Sequence, residues 1–364
     1  MTNKLESNSL FTDRQTDRQT DRQTDRQTDR QTDRQTDRQR EIWLASLRGV
    51  AALLVFISHV PLYKNCPDIG FILGRIGVVC FFLMTGYLAT AARVRRSAKQ
   101  YLLNRFLRLY PVFWLLLLLT FFELGTESFP IRTWLANITL FEEFLFQPKI
   151  IGPSWMLPMQ VVFFLTLVVK GIEFFVDKDK SRQWNESRWL LLISTIMILS
   201  VATGFARYKT QMPFPTAFFL LQGVAYLGIY YKEMKKGLIG ISGLKKMFII
   251  FEVGFIIAAG LSYENALSYF IAYNIGFILF YYYHHFNINS WLSIEIGKIG
   301  FTLFLGAEIP FYFVLGYLET ESILGLWMEV FLKFVLAVVF AYLITRYVEK
   351  PILRYGKCLE RKIS

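Results

Sequence analysis

From residue 42 to residue 345 the chain is a succession of apolar runs, each about 17 to 22 residues long, separated by short clusters of basic residues. A helix of that length crosses a hydrocarbon core of about 30 Å. Ten such runs are read, over 42–62, 72–91, 109–124, 156–176, 189–206, 215–231, 247–262, 267–284, 299–318 and 325–345. With 54% hydrophobic and only 19% charged residues, the chain is too apolar for a soluble domain. The expected class is an all-α polytopic membrane protein of about ten transmembrane helices.

The formal charge of +12 would suit a nucleic-acid binder, but the basic residues fall between the apolar runs, as topology-setting loops do. No nucleic-acid partner is expected. With the N-terminus in the cytoplasm, segments 93–108, 177–188, 232–246, 284–298 and 346–364 together carry 22 Lys and Arg, against five in the opposite loops, at Lys64, Arg132, Lys149, Arg207 and Lys209. The bias predicts both termini in the cytoplasm and an even number of spans. The first apolar run follows forty polar residues and is full length, which predicts an uncleaved signal anchor. The three cysteines, Cys66, Cys80 and Cys358, fall in different compartments on this topology, so no intramolecular disulfide is expected.

Residues 12–39 are seven copies of Thr-Asp-Arg-Gln without an apolar residue, which predicts a disordered tail over 1–40. The period of four residues is twelve nucleotides, and the codons GAC, AGA, CAG and ACA read as GACA three times over. Gain or loss of one tetranucleotide shifts the downstream frame. The tract therefore predicts expression switched on and off by slippage, a property of host-adapted bacteria that vary their surfaces.

Ionisable groups inside apolar runs are functional candidates. Arg48 and His59 share the first run, and eleven residues of α-helix bring them to nearly the same face, roughly 16 Å apart along the axis. A permanent cation and a group that titrates near neutrality suit chemistry on an acyl or phosphoryl group. Arg105 and Arg108, at i and i+3, can reach one anion at the mouth of the third run.

The spacing Arg48 to His59 resembles the signature of the integral-membrane acyltransferase family 3. Gly77-Val-Val-Cys-Phe-Phe-Leu-Met-Thr85-Gly86-Tyr87-Leu88 is similar to that family's second span, Arg105-Phe-Leu-Arg108-Leu-Tyr110-Pro111 to its Arg-x-x-Arg…Tyr-Pro element, and Arg346-Tyr347-Val348-Glu349-Lys350-Pro351 to its closing motif. The resemblance covers roughly 41–357 and leaves 358–364 as a basic cytoplasmic tail. It implies a bacterial inner-membrane protein that moves an acyl group, usually acetyl, from cytoplasmic acyl-CoA to a hydroxyl of a surface glycan or lipid-linked sugar such as lipopolysaccharide or capsule. No permanently bound cofactor is implied; acyl-CoA is the donor, and membrane lipid surrounds the protein. On this reading His59 is general base or covalent acyl carrier, and Arg105 and Arg108 hold the CoA phosphates.

Two departures accompany the resemblance. Ser154-Trp155-Met-Leu-Pro-Met-Gln160 has an amide where the family shows a Glu, and the ninth run carries Glu308 where the family often shows a His before Pro. Ser154, Trp155, Gln160 and Glu308 are assigned to a substrate path, with Glu308 near mid-span, either paired with a buried group such as Arg48 or titrating with a raised pKa. Glu252 and Lys333 are read as interhelical pairs or snorkelling groups. His284 and His285 follow an aromatic run and are read as interface residues, and no metal site is expected. The alternatives are a transporter or flippase for a lipid-linked sugar, with Arg48 and His59 lining its path, and an acyltransferase that has lost activity.

Overall fold

A computed structural model describes residues 42–60, 67–94, 97–124, 128–169, 186–211, 216–235, 237, 239–311 and 323–362. The Thr-Asp-Arg-Gln repeat and Cys66 lie outside the described residues, among which no strand occurs. The helices are α1 (Ile42–Ser58), α2 (Pro67–Val94), α3 (Ala98–Leu124), α4 (Ile131–Thr139), α5 (Leu157–Val169, after a 3-10 turn Gly152–Met156), α6 (Glu186–Thr210) and α7 (Thr216–Lys235). They continue as α8 (Ile241–Ser262), α9 (Ala266–Phe286), α10 (Trp291–Gly306), α11 (Ile323–Ile344) and α12 (Lys350–Lys362). Each of the ten apolar runs holds a helix. Among the described residues five helices are long and apolar enough to cross a membrane: Asp68–Ala89, Ala98–Glu123, Glu186–Thr210, Ala266–Phe286 and Trp327–Glu360.

Side-chain contacts mark the two ends of the bundle. At one end Trp43 packs edge-on against Tyr87 and His284, and the Gln100 amide donates to the Glu360 carbonyl. At the other, the Ser262 hydroxyl meets Thr216, and Gly74 lies against Ser58. Residues 42 and 362 therefore lie at the same end.

Glycine determines how closely the helices cross. A Cβ on Gly49 would run into the Ser293 carbonyl of α10, and one on Gly297 into the Ala45 carbonyl of α1. Gly86 and Gly228 do the same for α2 against α7, meeting the Ala225 and Leu83 carbonyls. Backbones pack on one another where no side chain intervenes, the small-residue mode of helix association in lipid.

Four boundaries differ from the sequence expectation. The third run starts two to three turns early, so Arg105 and Arg108 sit within α3 rather than at its mouth. The ninth run breaks after Gly306 into a bend at Ala307 and Glu308, so Glu308 is at a helix end and not mid-span. The stretch expected as an outer loop contains α4, which folds back along α3: Trp114 Nε1 donates to the Ile138 carbonyl and the Tyr110 hydroxyl to that of Thr139. Finally, residues 358–362 continue α12 rather than forming a separate tail.

Between α11 and α12 the helix widens to a π turn over Thr345–Glu349. Pro351 has no N–H and its ring crowds the carbonyl four residues earlier, which is relieved by a wider turn. The turn aims Glu349 into the bundle.

Gly49→Ala is expected to cost about 1–3 kcal/mol by overpacking and to lower the thermal midpoint in detergent. Gly260→Ala, where a Cβ meets nothing within 4 Å, should leave the midpoint unchanged or raise it.

Candidate active site: two cavities divided by Phe304

Three arginines converge inside the bundle. Arg48 from α1 and Arg105 and Arg108 from α3 line a cavity of about 100 Å³ together with Thr85 from α2, Gln160 from α5 and Phe304 from α10. Gly300 lies alongside the Arg48 stem, where an added Cβ would make only ordinary contact with Cγ at 3.7 Å. The Arg105 guanidinium lies over the rings of Phe164 at 4.7 Å and Tyr101 at 5.0 Å, and its buried Nε has no hydrogen-bond partner among the described residues. The carboxylate facing this group is Glu349, within electrostatic reach of Arg108 and Arg48 and hydrogen-bonded by the Thr345 hydroxyl at 3.4 Å. Among the described residues Arg48, Arg105 and Arg108 gather near the Glu349 carboxylate, and guanidinium groups brought together in this way suit a phosphate or another oxyanion.

The second cavity, about 200 Å³, is lined by His59, Thr120, Glu123, Pro153, Phe304 and Glu308. His59 stands one residue beyond the end of α1. Its Nδ1 lies 2.8 Å from the Val55 carbonyl, a contact that requires Nδ1–H as donor. The Ser58 hydroxyl donates to the same carbonyl at 2.6 Å. Nε2 therefore carries the free lone pair, as a general base or nucleophile needs. Two carboxyl groups, Glu123 and Glu308, share this cavity.

Phe304 is 3% exposed, lines both cavities, and stands edge-on to Phe81 with ring centroids 5.6 Å apart. It is the partition between the arginine side and the histidine side.

These positions correct part of the sequence reading. Glu308 faces His59 and not Arg48; the acid beside Arg48 is Glu349. The four residues assigned to one substrate path divide among different surroundings. Gln160 joins the arginines, and Glu308 joins His59. Trp155 borders a third hollow. Ser154 is fully buried near Glu142, and its hydroxyl has no hydrogen-bond partner among the described residues. Lys333 pairs with Glu329 at 3.1 Å on its own helix, and Glu252 accepts from Asn274 of α9 at 3.4 Å. The His284 Nδ1 and Tyr231 hydroxyl are 3.0 Å apart within an aromatic cluster. Among the described residues no group of three His, Cys, Asp or Glu could hold a metal. Cys80 is buried and Cys358 exposed, both as free thiols.

Sequence reasoning passed over Glu123 and Phe304. An acid closing the third apolar run was a visible signal for Glu123; one phenylalanine among 35 offered none for Phe304.

The chain matches, over residues 41–346, the family model described as an acyltransferase domain. It belongs to acyltransferase family 3. No curated protein and no solved structure matches it. As a member of acyltransferase family 3 with several apolar helices, it is a multi-pass membrane acyltransferase. The matched region contains every residue of the two cavities named above except Glu349, which lies three residues beyond its end.

The loop from residue 140 to 151 walls the His59 cavity and is held by Asn137, whose Nδ2 donates to the Thr133 and Pro148 carbonyls while its Oδ1 accepts from the Ile150 N–H. Within that loop Glu142 is fully buried. Burial pushes its carboxyl up to about 7, with a backbone hydrogen bond, Lys149 and Ser154 offsetting part of the effect. A carboxyl that holds its proton more tightly when folded stabilises the fold at low pH. That contribution declines as pH rises from the ordinary carboxylate range toward about 7 and levels off above it. The thermal midpoint of Glu142→Gln minus that of wild type should therefore increase with pH across this window; a flat difference would contradict the assignment.

Proposed function

We propose that this acyltransferase moves an acyl group, acetyl in the simplest case, from acyl-CoA at the arginine end to a hydroxyl of a surface glycan at the histidine end. The reading rests on one observation above all: an anion-binding cavity and a cavity with an available imidazole nitrogen stand at opposite ends of α1, with Phe304 as their common wall. Arg48, Arg105 and Arg108 hold phosphate oxygens of the donor. The acyl end of the donor passes Phe304 into the histidine cavity, where the acceptor oxygen attacks the thioester carbonyl as its proton passes to His59 Nε2. The carbon–sulfur bond then breaks, and the leaving thiolate is protonated to the free thiol of CoA, which returns His59 to its neutral form. Glu123 and Glu308 support the imidazolium formed in that step.

The membrane is the bacterial inner membrane, with the arginine end and the N-terminus in the cytoplasm, as the distribution of basic loops supports. The Thr-Asp-Arg-Gln repeat makes expression phase-variable, and the glycan is then a surface polysaccharide such as lipopolysaccharide or capsule. Sibling colonies with different numbers of the tetranucleotide are expected; an invariant tract would remove the switch.

Mass spectrometry of surface glycans should show one added acyl group only in cells with the gene in frame. His59→Ala, expressed and inserted, should lower transfer by about 100-fold or more. Arg108→Gln should raise the KM for acyl-CoA by about ten-fold or more while transfer at saturation persists. Glycan absent from the surface, with no change in acylation, would point to a flippase instead.

Until the acceptor is in place, Phe304 limits the water that reaches the thioester from the histidine side. Phe304→Ala is expected to release CoA faster in the absence of acceptor, measured as free thiol; an unchanged rate would remove that role.

A further inference from the structure

The end of the bundle that carries His59 holds two further cations that the reaction does not use. Arg75 follows Gly74, which lies against Ser58, so its turn of α2 is level with the end of α1. Arg207 is in the last turn of α6. Between them stand two tyrosines. The Arg75 guanidinium lies 3.7 Å from the centroid of the Tyr269 ring and donates to its hydroxyl. Tyr269 stacks on Tyr263 at 3.8 Å with an interplanar angle of 11°, and Arg207 lies 5.7 Å from the Tyr263 centroid.

This ladder borders two hollows, and both arginines line each of them. The wider is about 520 Å³, with Asp68, Gln211, Asn265 and Ser268 among its walls and Glu264 exposed at its rim. The narrower is about 240 Å³ and adds Lys149 and Trp155. Two of the acids are engaged, Asp68 accepting from Asn265 Nδ2 at 2.6 Å and Glu143 pairing with Lys149 at 2.6 Å, while Glu264 stands at the rim. Neither Arg75 nor Arg207 forms an ion pair with a carboxylate among the described residues. A cation on an apolar helix without a counter-ion is unfavourable unless something anionic visits it. Arg75 donates through Nη2 to the Tyr269 hydroxyl and through Nη1 to the Phe71 carbonyl at 3.4 Å, and a guanidinium with five N–H donors has others left for an oxyanion. A ladder that served only to cap the bundle would need no hollow of this size, and amides, hydroxyls and a carboxylate around it suit the hydroxyls of a saccharide.

We propose that this vestibule binds the acceptor as an acidic saccharide, its carboxylate or phosphate held by Arg75 and Arg207. The identity of the ligand as acceptor rests on the acyltransferase reading above. The loop before α5 carries the acid group's neighbourhood over to the reaction site, since Lys149 and Trp155 wall the vestibule while Ile150 and Pro153 wall the His59 cavity. A saccharide anchored by its charge extends along that loop toward the imidazole.

The test uses the full chain in nanodiscs, with the thermal midpoint read against glucuronate, a phosphorylated glucose and unmodified glucose at equal ionic strength. One or both acids should raise the midpoint where glucose does not, and affinity should fall by about ten-fold or more in Arg75→Gln and in Arg207→Gln. The acid giving the larger rise identifies the anion as carboxylate or phosphate. Equal responses to all three sugars, no response to either acid, or an acid response that survives both substitutions would overturn the proposal. Arg207→Gln, at a helix end, keeps the test open if Arg75→Gln fails to fold. A CoA-induced rise lost in Arg108→Gln but kept in Arg207→Gln shows the donor site intact, so a missing acid response then counts against the vestibule alone. An acid response without any CoA response would instead remove the acyltransferase reading and leave an anionic-saccharide site.

Discussion

Charge held inside an apolar helical bundle needs a partner or a purpose, because lipid and packed side chains cannot solvate it. This constraint organises the molecule. Three guanidinium groups from two helices face one carboxylate delivered by a third element, and the fold around them must keep all four at one level. The π turn before Pro351 exists at the point where Glu349 has to turn inward. Gly300 lies alongside the Arg48 stem.

On the proposed reaction, the same bundle separates two chemistries that would interfere if mixed. An imidazole beside guanidinium groups would lose its proton affinity, and a thioester beside an open aqueous cavity would be exposed to hydrolysis. Close backbone crossings at Gly49 and Gly86 make the helices around this division into rigid posts, so that a single ring, Phe304, suffices as the wall. His59 is placed just past the last turn of its helix, where the Val55 carbonyl fixes its Nδ1 proton and leaves Nε2 available.

Much of this was legible in the chain. Apolar runs between basic clusters identify helices because the period and length of apolar burial are local properties. The Arg48 and His59 pair followed from the cost of ionisable groups in such runs. The same rule pointed to Arg75, which lies within the second run and was passed over, and to Glu123 at the end of the third. Glu308 was singled out as an unusual acid, with pairing to a group such as Arg48 as one of two alternatives, and it lines the His59 cavity. Its run breaks after Gly306, and a break displaces every residue beyond it from the face that helical spacing predicts.

The sequence by itself determined the helical class, the membrane setting, the family and the residues capable of acid–base and anion chemistry, since each depends on composition, spacing or motif along one stretch of chain. Only the tertiary structure decided which of those residues meet. It sent Gln160 to the arginines, Glu308 to the histidine and Trp155 to a third hollow, and it put Glu349 beside Arg48 across 300 intervening positions of chain. Contacts of that range depend on how closely helices cross and where they break, and those follow from packing between elements that no local pattern records.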